Sequence, residues 1–369
     1  MSFSFGQQFK VTLFGQSHAP AIGVVIDGLP AGYKINHEAI QTALKRRRPG
    51  QSFYSSPRRE ADDYEVLSGE VAGYTCGAPL SFLIRNRDSR SKDYEELALK
   101  PRPSHADYPA QVKYGGFHDI RGGGQFSGRL TAPLVLAGAL AADILKQRGI
   151  QTYGRIKQIA GVIDDYASRG SAWEADLQAI AGQAFPVLND EVKEEMLLAI
   201  RKARGEHDSV GGLVELATFG LPVGVGEPFF RSVESVLAQA YFSVPGMRGV
   251  EFGTGFAAAQ MRGSEHNDPY RYEGGQVTTM SNHHGGVIGG LTTGQPLVAR
   301  VAVKPTSSIG QSQDTVDLKA QKNTTLSIHG RHDPAIVPRA LVVLEMMTSI
   351  ALLDLMLEGG FISLGAFDK

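Results

Sequence analysis

RGGGQFSGRLTAPLVLAGALAADILK, residues 121–146, is the stretch from which the rest of the chain can be read. Three consecutive glycines stand between Arg121 and Arg129, with Ser127 two residues before the second arginine. Consecutive glycines let the backbone turn sharply and approach a ligand closely, because no Cβ bars positive φ. The apolar run behind them predicts a helix over 130–148. A helix opening just after the loop would aim free N–H groups at an anion. The two arginines would add planar forks suited to phosphate or carboxylate. A surface turn leading into a core helix would use the same residues, so the decision rests on the remaining chain.

With 369 residues the chain can bury a large core. Its 37 basic and 38 acidic side chains leave a net charge of −1, which suggests neither a nucleic-acid surface nor a polybasic membrane anchor. One cysteine, Cys76, excludes an internal disulfide and fits a reducing compartment. The first residues show no charged-then-apolar leader pattern. The apolar runs 132–145 and 340–357 read as core helices, and the second carries Glu345 and Asp354. A cytoplasmic location is expected. The 44 glycines gather in loops rather than in repeats, which points to tight turns and close ligand approach.

Strands are expected at 9–14 and 22–28 around the turn GQSHAP, and a helix at 36–47 behind a capping Asn36. Further strands are expected at 64–71, 79–85, 152–164, 211–219 and 298–304. Helices are expected over 172–204, 231–241 and 335–358. Residues 86–127 read as irregular, and a connection of that length is usually functional or disordered. Strands and helices are interspersed without a βαβ rhythm, so the fold class is mixed α+β. Nothing divides the chain, and a single domain over 1–369 is expected.

Three of the ten histidines sit in loops beside reactive residue types: His18 next to Ser17, His105 in RPSHADY, and His332 before Asp333. Imidazole titrates near neutral pH, which suits proton delivery. Each could equally be an ordinary hydrogen-bonded surface histidine. A metal could draw on His329, His332, His283 and His284, but HExxH and a cysteine cluster are missing and Arg331 would repel a cation. A nucleophilic serine lacks its GxSxG elbow. Anion handling is better supported. RRRPG (46–50), Arg58, Arg59, Arg102, Arg121, Arg129 and Arg331 all fall in loops or loop-to-helix positions. KPTSS (304–308) adds a lysine, three hydroxyls and backbone N–H groups, without being a Walker loop.

Together, GQSHAPAIGVVIDGLPAG (15–32), RRRPGQ (46–51), RPSHADY (102–108), RGGGQFSGRLTAPLVLAGAL (121–140), SNHHGGVIGG (281–290), KPTSSI (304–309) and GRHDPAIVPRALVVLEMM (330–347) closely resemble the chorismate synthase family. The matches run in order over nearly the whole chain. The resemblance implies a β-α-β sandwich with a helical core between antiparallel sheets, and a homotetramer. It implies a 1,4-anti elimination of phosphate from 5-enolpyruvylshikimate 3-phosphate to give chorismate, in aromatic amino acid biosynthesis. The family needs reduced FMN without net redox change, and NADPH is a possible reductant. By resemblance the catalytic candidates are His18, His105, Asp333, Ser17 and Ser127. Arg47, Arg48, Arg129, Arg331 and Arg102 would take the substrate's anionic groups. FMN would contact Gln125, Phe126, Ser127, Pro245, Gly246, Gly289, Lys304, Pro305, Thr306, Ser307, Ser308 and Arg331. His18 would stabilise or protonate the departing phosphate. His105 would keep the reduced flavin suitably protonated, and Asp333 would help the flavin act as a base.

The chain also departs from the family pattern. Gln16 stands where many members have Glu, Ala19 where many have Gly, Gln125 and Phe126 where an arginine and a serine are usual, and Phe53 and His118 where an arginine is usual. These changes remove positive charge near the expected flavin site and predict altered flavin affinity. A paralogue acting on a related enolpyruvyl phosphate and a non-catalytic flavin binder are the rival readings. The full arginine set speaks against the first, and His18, His105 and Asp333 together speak against the second.

Overall fold

A computed structural model describes residues 3–50, 52–55, 60–86, 99–166, 171–328 and 333–363. It contains two five-stranded antiparallel sheets. The first has the order Ser4–Phe5, Lys10–Gly15, Ala21–Asp27, Leu80–Arg85, Tyr64–Ser68. The second runs Met247–Phe252, Leu297–Val303, Gly212–Phe219, Gln151–Ile159, Val162–Ile163. Alternation along the strands turns one face of each inward: Leu80, Phe82 and Ile84 are buried in one strand, and Leu297, Ala299, Val301 and Val303 in another.

Two helices fill the space between the sheets. Thr131–Lys146 packs against the first sheet and Val337–Glu358 against the second, and the two pack on each other. The shorter helix His37–Arg47 lies against both. This is an α+β sandwich with helices between antiparallel sheets, as expected. Both central helices are apolar on nearly every side, a pattern that belongs to a helix enclosed by protein. The stretches Gly128–Lys146 and Val337–Glu358 are long and apolar enough to cross a bilayer, yet 83% and 94% of their apolar windows are buried inside the fold. Each fully buried Leu, Ile or Val contributes about 1.5–3 kcal/mol.

The two acids in the last helix tie the layers together. Glu345 Oε1 accepts from the Gly154 amide at 2.9 Å and its Oε2 from Arg46 Nη1 at 2.7 Å. Asp354 Oδ1 accepts from the amides of Gln7, Gln8 and Phe9, and its Oδ2 from Arg231 at 2.9 Å. Buried carboxylates must be paired, and here the pairing fixes how the helix sits on its neighbours.

Some local expectations change. The block 172–204 is two helices, Ser171–Ile180 and Asp190–Gly205, parted around Pro186; Asn189 caps the second. The strand over 152–164 folds into a hairpin because Ala160 and Gly161 both adopt positive φ. The region 86–127 holds a short helix, Asp107–Lys113. The edge strand Met247–Phe252 and the hairpin Gln313–Asp317 with Lys322–Leu326 were not anticipated. The glycine-rich 262–296 makes two small hairpins that turn at Gly274–Gly275 and Gly289–Gly290, each pair at positive φ.

Where the central helices touch, Gly138 faces Met346. A Cβ on Gly138 would lie 2.3 Å from the Met346 Cβ and 2.6 Å from its carbonyl oxygen. Alanine is the better helix former by about 1 kcal/mol, but overpacking costs about 1–3 kcal/mol. Gly138→Ala is therefore expected to lower the thermal midpoint in calorimetry. An unchanged or raised midpoint would show that the helices have room to spare.

Candidate active site

Gly122, Gly123 and Gly124 have φ of 60°, 83° and 54°, a left-handed run that L side chains resist. At Gly122 the neighbours add a steric requirement, whereas at Gly123 they stand at ordinary contact distance and φ alone calls for glycine. A Cβ on Gly122 would fall 2.2 Å from two atoms of the His18 ring and 2.6 Å from the Ser17 hydroxyl. A Cβ on Gly123 would lie 3.4 Å from Cε1 and Nε2 of His105 and 3.8 Å from the Ser127 Cβ. The Ser17 amide donates to the Gly124 carbonyl at 3.2 Å. Thus one glycine passage carries His18 and Ser17 against one residue, and His105 and Ser127 against the next.

His105 is held from behind. Its Nδ1 lies 2.7 Å from Asp107 Oδ1. Arg102 donates to the same carboxylate through its amide at 3.0 Å, Nε at 2.7 Å and Nη2 at 2.8 Å. Burial pushes the Asp107 carboxyl up, but Arg102 and His105 outweigh it and hold it well below the ordinary range. Arg102 was expected to meet substrate. It is 8% exposed and its fork is committed to Asp107, so its place is behind His105.

The arginine cluster forms where the helix His37–Arg47 ends and both central helices begin. Arg47, 2% exposed, donates to Asp62 at 3.0 Å, to the Thr131 hydroxyl at 3.1 Å and to the Gly128 carbonyl at 3.1 Å. Arg129 pairs with Asp62 and Glu60 and donates to Asn86 at 3.1 Å. Arg339 donates to the Arg47 carbonyl at 3.0 Å and to Asp333 at 2.6 Å. Burial draws the Arg47 guanidinium down to about 10, with Arg339 and Arg129 acting the same way against Asp62, so it stays charged at neutral pH. Arg121, at the other end of the glycine loop, closes on Asp119 at 2.8 and 3.0 Å. Arg47 and Arg129 thus answer carboxylates of their own chain, because charge withdrawn from water needs a counter-charge, whereas the Arg121 pair lies at the surface.

Arg48 turns aside, 3.8 Å from Asp63, and lines a hollow with His37, Lys45 and Tyr64 that Asp62 also borders. The Lys304–Ser308 segment does reach the site. The Lys304 amide donates to the Gly246 carbonyl at 2.9 Å, its Nζ to the Ser104 carbonyl at 2.8 Å, and the Thr306 hydroxyl to the Asp333 carbonyl at 2.9 Å. Pro245, Gly246, Lys304, Pro305, Thr306 and Asp333 are therefore linked to the loop that bears His105. Burial and then the nearby charge of Arg248 lower the Lys304 ammonium. Two cations so placed, beside a run of backbone N–H groups and hydroxyls, fit an anionic group such as the phosphate of a flavin nucleotide. Gln125 is half-buried and Phe126 exposed, its ring 6.4 Å from that of Tyr114. Gly289 sits at a hairpin turn whose next residue, Gly290, meets Glu227 and Ser232. Arg331 and His332 lie outside the described residues, as do Arg58, Arg59 and His329.

Sequence reading missed Glu60, Asp62, Asp107, Arg248 and Arg339. The carboxylates lacked any anion-binding pattern, although Asp107 stands two residues from His105. Asp62 has φ of 52°, which Asp and Asn tolerate better than most residues. Burial pushes its carboxyl up, but Arg47 and Arg129 prevail and hold it below the ordinary 3.8. A depressed folded value gives stability that is present above 3.8 and lost as pH falls below it. Asp62→Asn is expected to cost about 3–5 kcal/mol at pH 7, as for a broken buried pair. In urea titrations the deficit narrows below pH 3.8. A deficit as large at pH 3 as at pH 7 would refute the ion-pair explanation.

Residues 9–357 match the family model described as chorismate synthase. A chorismate synthase of Korarchaeum cryptofilum is 46% identical over 352 residues, covering 95% of this chain and 96% of the relative. One from Dehalococcoides mccartyi is 45% identical and covers 98% of both chains. A solved structure titled "Crystal Structure of Chorismate Synthase" superposes with a TM-score of 0.75 at 27% identity, covering 96% of this chain and 93% of that one. By this likeness over nearly its full length, the chain belongs to the chorismate synthase family.

Proposed function

We propose that the protein forms chorismate by 1,4-anti elimination of phosphate from 5-enolpyruvylshikimate 3-phosphate, as a lyase acting on a carbon–oxygen bond. The packing of His18 and His105 on successive glycines of one left-handed loop carries the reading. Two imidazoles from distant parts of the chain flank one point of close backbone approach. Such an arrangement suits proton handling on two sides of a bound ligand. Reduced FMN, when bound, supplies electron density and a base, with no net oxidation.

The chain's own groups have separate tasks in this scheme. His18, beside the Ser17 hydroxyl, stabilises or protonates the departing phosphate oxygen. His105, beside Ser127, holds the protonation state of the cofactor side. Asp333, fixed by Arg339, supports removal of the substrate proton. Arg47 and Arg129, enclosed and held at fixed separation by Asp62, supply the positive field beneath the substrate's carboxylates and phosphate while keeping their own partners. Arg331, and Arg48 if substrate draws it inward, complete the anion set. Lys304, Arg248 and the 305–308 segment hold the cofactor phosphate, with Gln125, Phe126, Ser127, Pro245, Gly246 and Gly289 along its edge. Neutral Gln125 and Phe126 weaken that grip relative to members with arginine there. We further propose one functional domain over 1–369, a cytoplasmic homotetramer and an external source of reduced flavin, NADPH being one possible reductant.

Purified protein under anaerobic conditions, given dithionite-reduced FMN and the shikimate-derived substrate, is expected to release phosphate and chorismate together. No release at any flavin concentration would sink the reading. His18→Ala and His105→Ala are each expected to lower the rate by about ten- to ten-thousand-fold, the range for a removed acid–base group. Unchanged rates in both would show the roles to be wrong.

A further inference from the structure

We propose that Asp107 is a positioning residue that sets the tautomer of His105, and that Arg102 holds Asp107 in place to do so. The inference rests on the reading of His105 given above and adds the group that acts through it.

Two contacts meet at His105 Nδ1. Asp107 Oδ1 is 2.7 Å away and Arg102 Nη2 is 3.1 Å away. A carboxylate only accepts and a guanidinium only donates, so both cannot be satisfied by one ring nitrogen. Arg102 Nη2 already donates to Asp107 Oδ1 at 2.8 Å. An unprotonated Nδ1 would place its lone pair against an ionised oxygen 2.7 Å away. The contacts are consistent only with Nδ1–H donating to Asp107. The other nitrogen, Nε2, is then free to carry or release the exchangeable proton. Nε2 and Cε1 form the ring edge that lies on Gly123, beside Ser127. The ring thus shows its working nitrogen to the glycine passage and its fixed proton to the protein.

The carboxylate is suited to this task. Asp107 is 5% exposed and opens the helix Asp107–Lys113, where a negative charge is favoured. Arg102 grips it through three donors, so neither oxygen can swing away. Ser104, whose carbonyl accepts from Lys304 Nζ, has φ of 54°. The turn bearing His105 is therefore pinned on both sides.

Asp107→Asn tests the assignment. Asparagine can still accept from Arg102, but its amide would donate to Nδ1 and drive the proton to Nε2. Solid-state 15N NMR of histidine-labelled, ligand-free protein reports the tautomer, with the His105 signal assigned by its loss in His105→Gln. The neutral ring is expected to be Nδ1–H in the unsubstituted protein and Nε2–H in Asp107→Asn. In the assay, kcat is expected to fall at least about tenfold with KM within about threefold, the mark of a group acting in the chemical step. In a His105→Gln background the same change should add little, because its effect passes through the ring. An Nε2–H ring in the unsubstituted protein would overturn the proposal, as would a full Asp107→Asn loss in the His105→Gln background. Should the substituted chain fail to fold, the spectrum of the unsubstituted protein still decides. Should that protein form no chorismate, the proposed function fails while the tautomer measurement stands on its own.

Discussion

The Arg47 guanidinium is closed off from water, and each of its three nitrogens donates to a different part of the chain. Asp62 comes from the loop before the first sheet's edge strand, Thr131 from the start of one central helix, and Gly128 from the turn preceding it. The Arg47 carbonyl in turn accepts from Arg339, near the start of the other central helix. A buried charge left without partners would cost several kcal/mol. These three helix ends and one loop must therefore meet at one point. The apolar bulk of the two helices supplies the driving force for folding, and the arginine network sets where their ends meet.

That meeting point explains why the glycine passage is where it is. The 121–130 loop must reach the buried start of its helix while His18, from the turn between two strands, and His105, from a separate loop, close on it from outside. Any side chain at Gly122 would occupy the place of the His18 ring. The same economy governs charge. Among the described residues the cluster holds Arg47, Arg129 and Arg339 against Glu60, Asp62 and Asp333. The guanidinia are held in place by their own carboxylates, so incoming anionic groups meet an arrangement that is already ordered. The cationic pair Lys304 and Arg248 stands apart from this balance, across the Gly246 strand connection.

The large elements were legible because their signals are local. The alternation of Leu80, Phe82 and Ile84, the cap at Asn36 and the long apolar runs each reflect a period or a neighbouring hydrogen bond. The short helix at Asp107 and the edge strand at Met247 were hidden. The helix is too brief to show a period, and the strand exists only because Leu297–Val303 offers it a ladder. Family motifs pointed to His18, His105 and Asp333, which stand in distinctive loops. Arg102 was placed with the substrate arginines by resemblance to the family. Its place behind His105 depends on a carboxylate five residues further along, which only the folded loop turns toward it.

From the sequence alone came the fold class, the core helices, the glycine passage and the family to which its motifs point. These follow from which residues are apolar, which tolerate positive φ, and in what order they occur. Tertiary structure decided which charges face one another. Asp62 between two arginines, Arg339 on the Arg47 carbonyl and Asp107 behind His105 are contacts between segments that the chain order keeps distinct or leaves ambiguous. Ion pairing acts over a few ångströms in space and has no period along the chain. The identity of a charged residue is therefore visible in sequence, while its partner becomes visible only when the backbone has brought the two together.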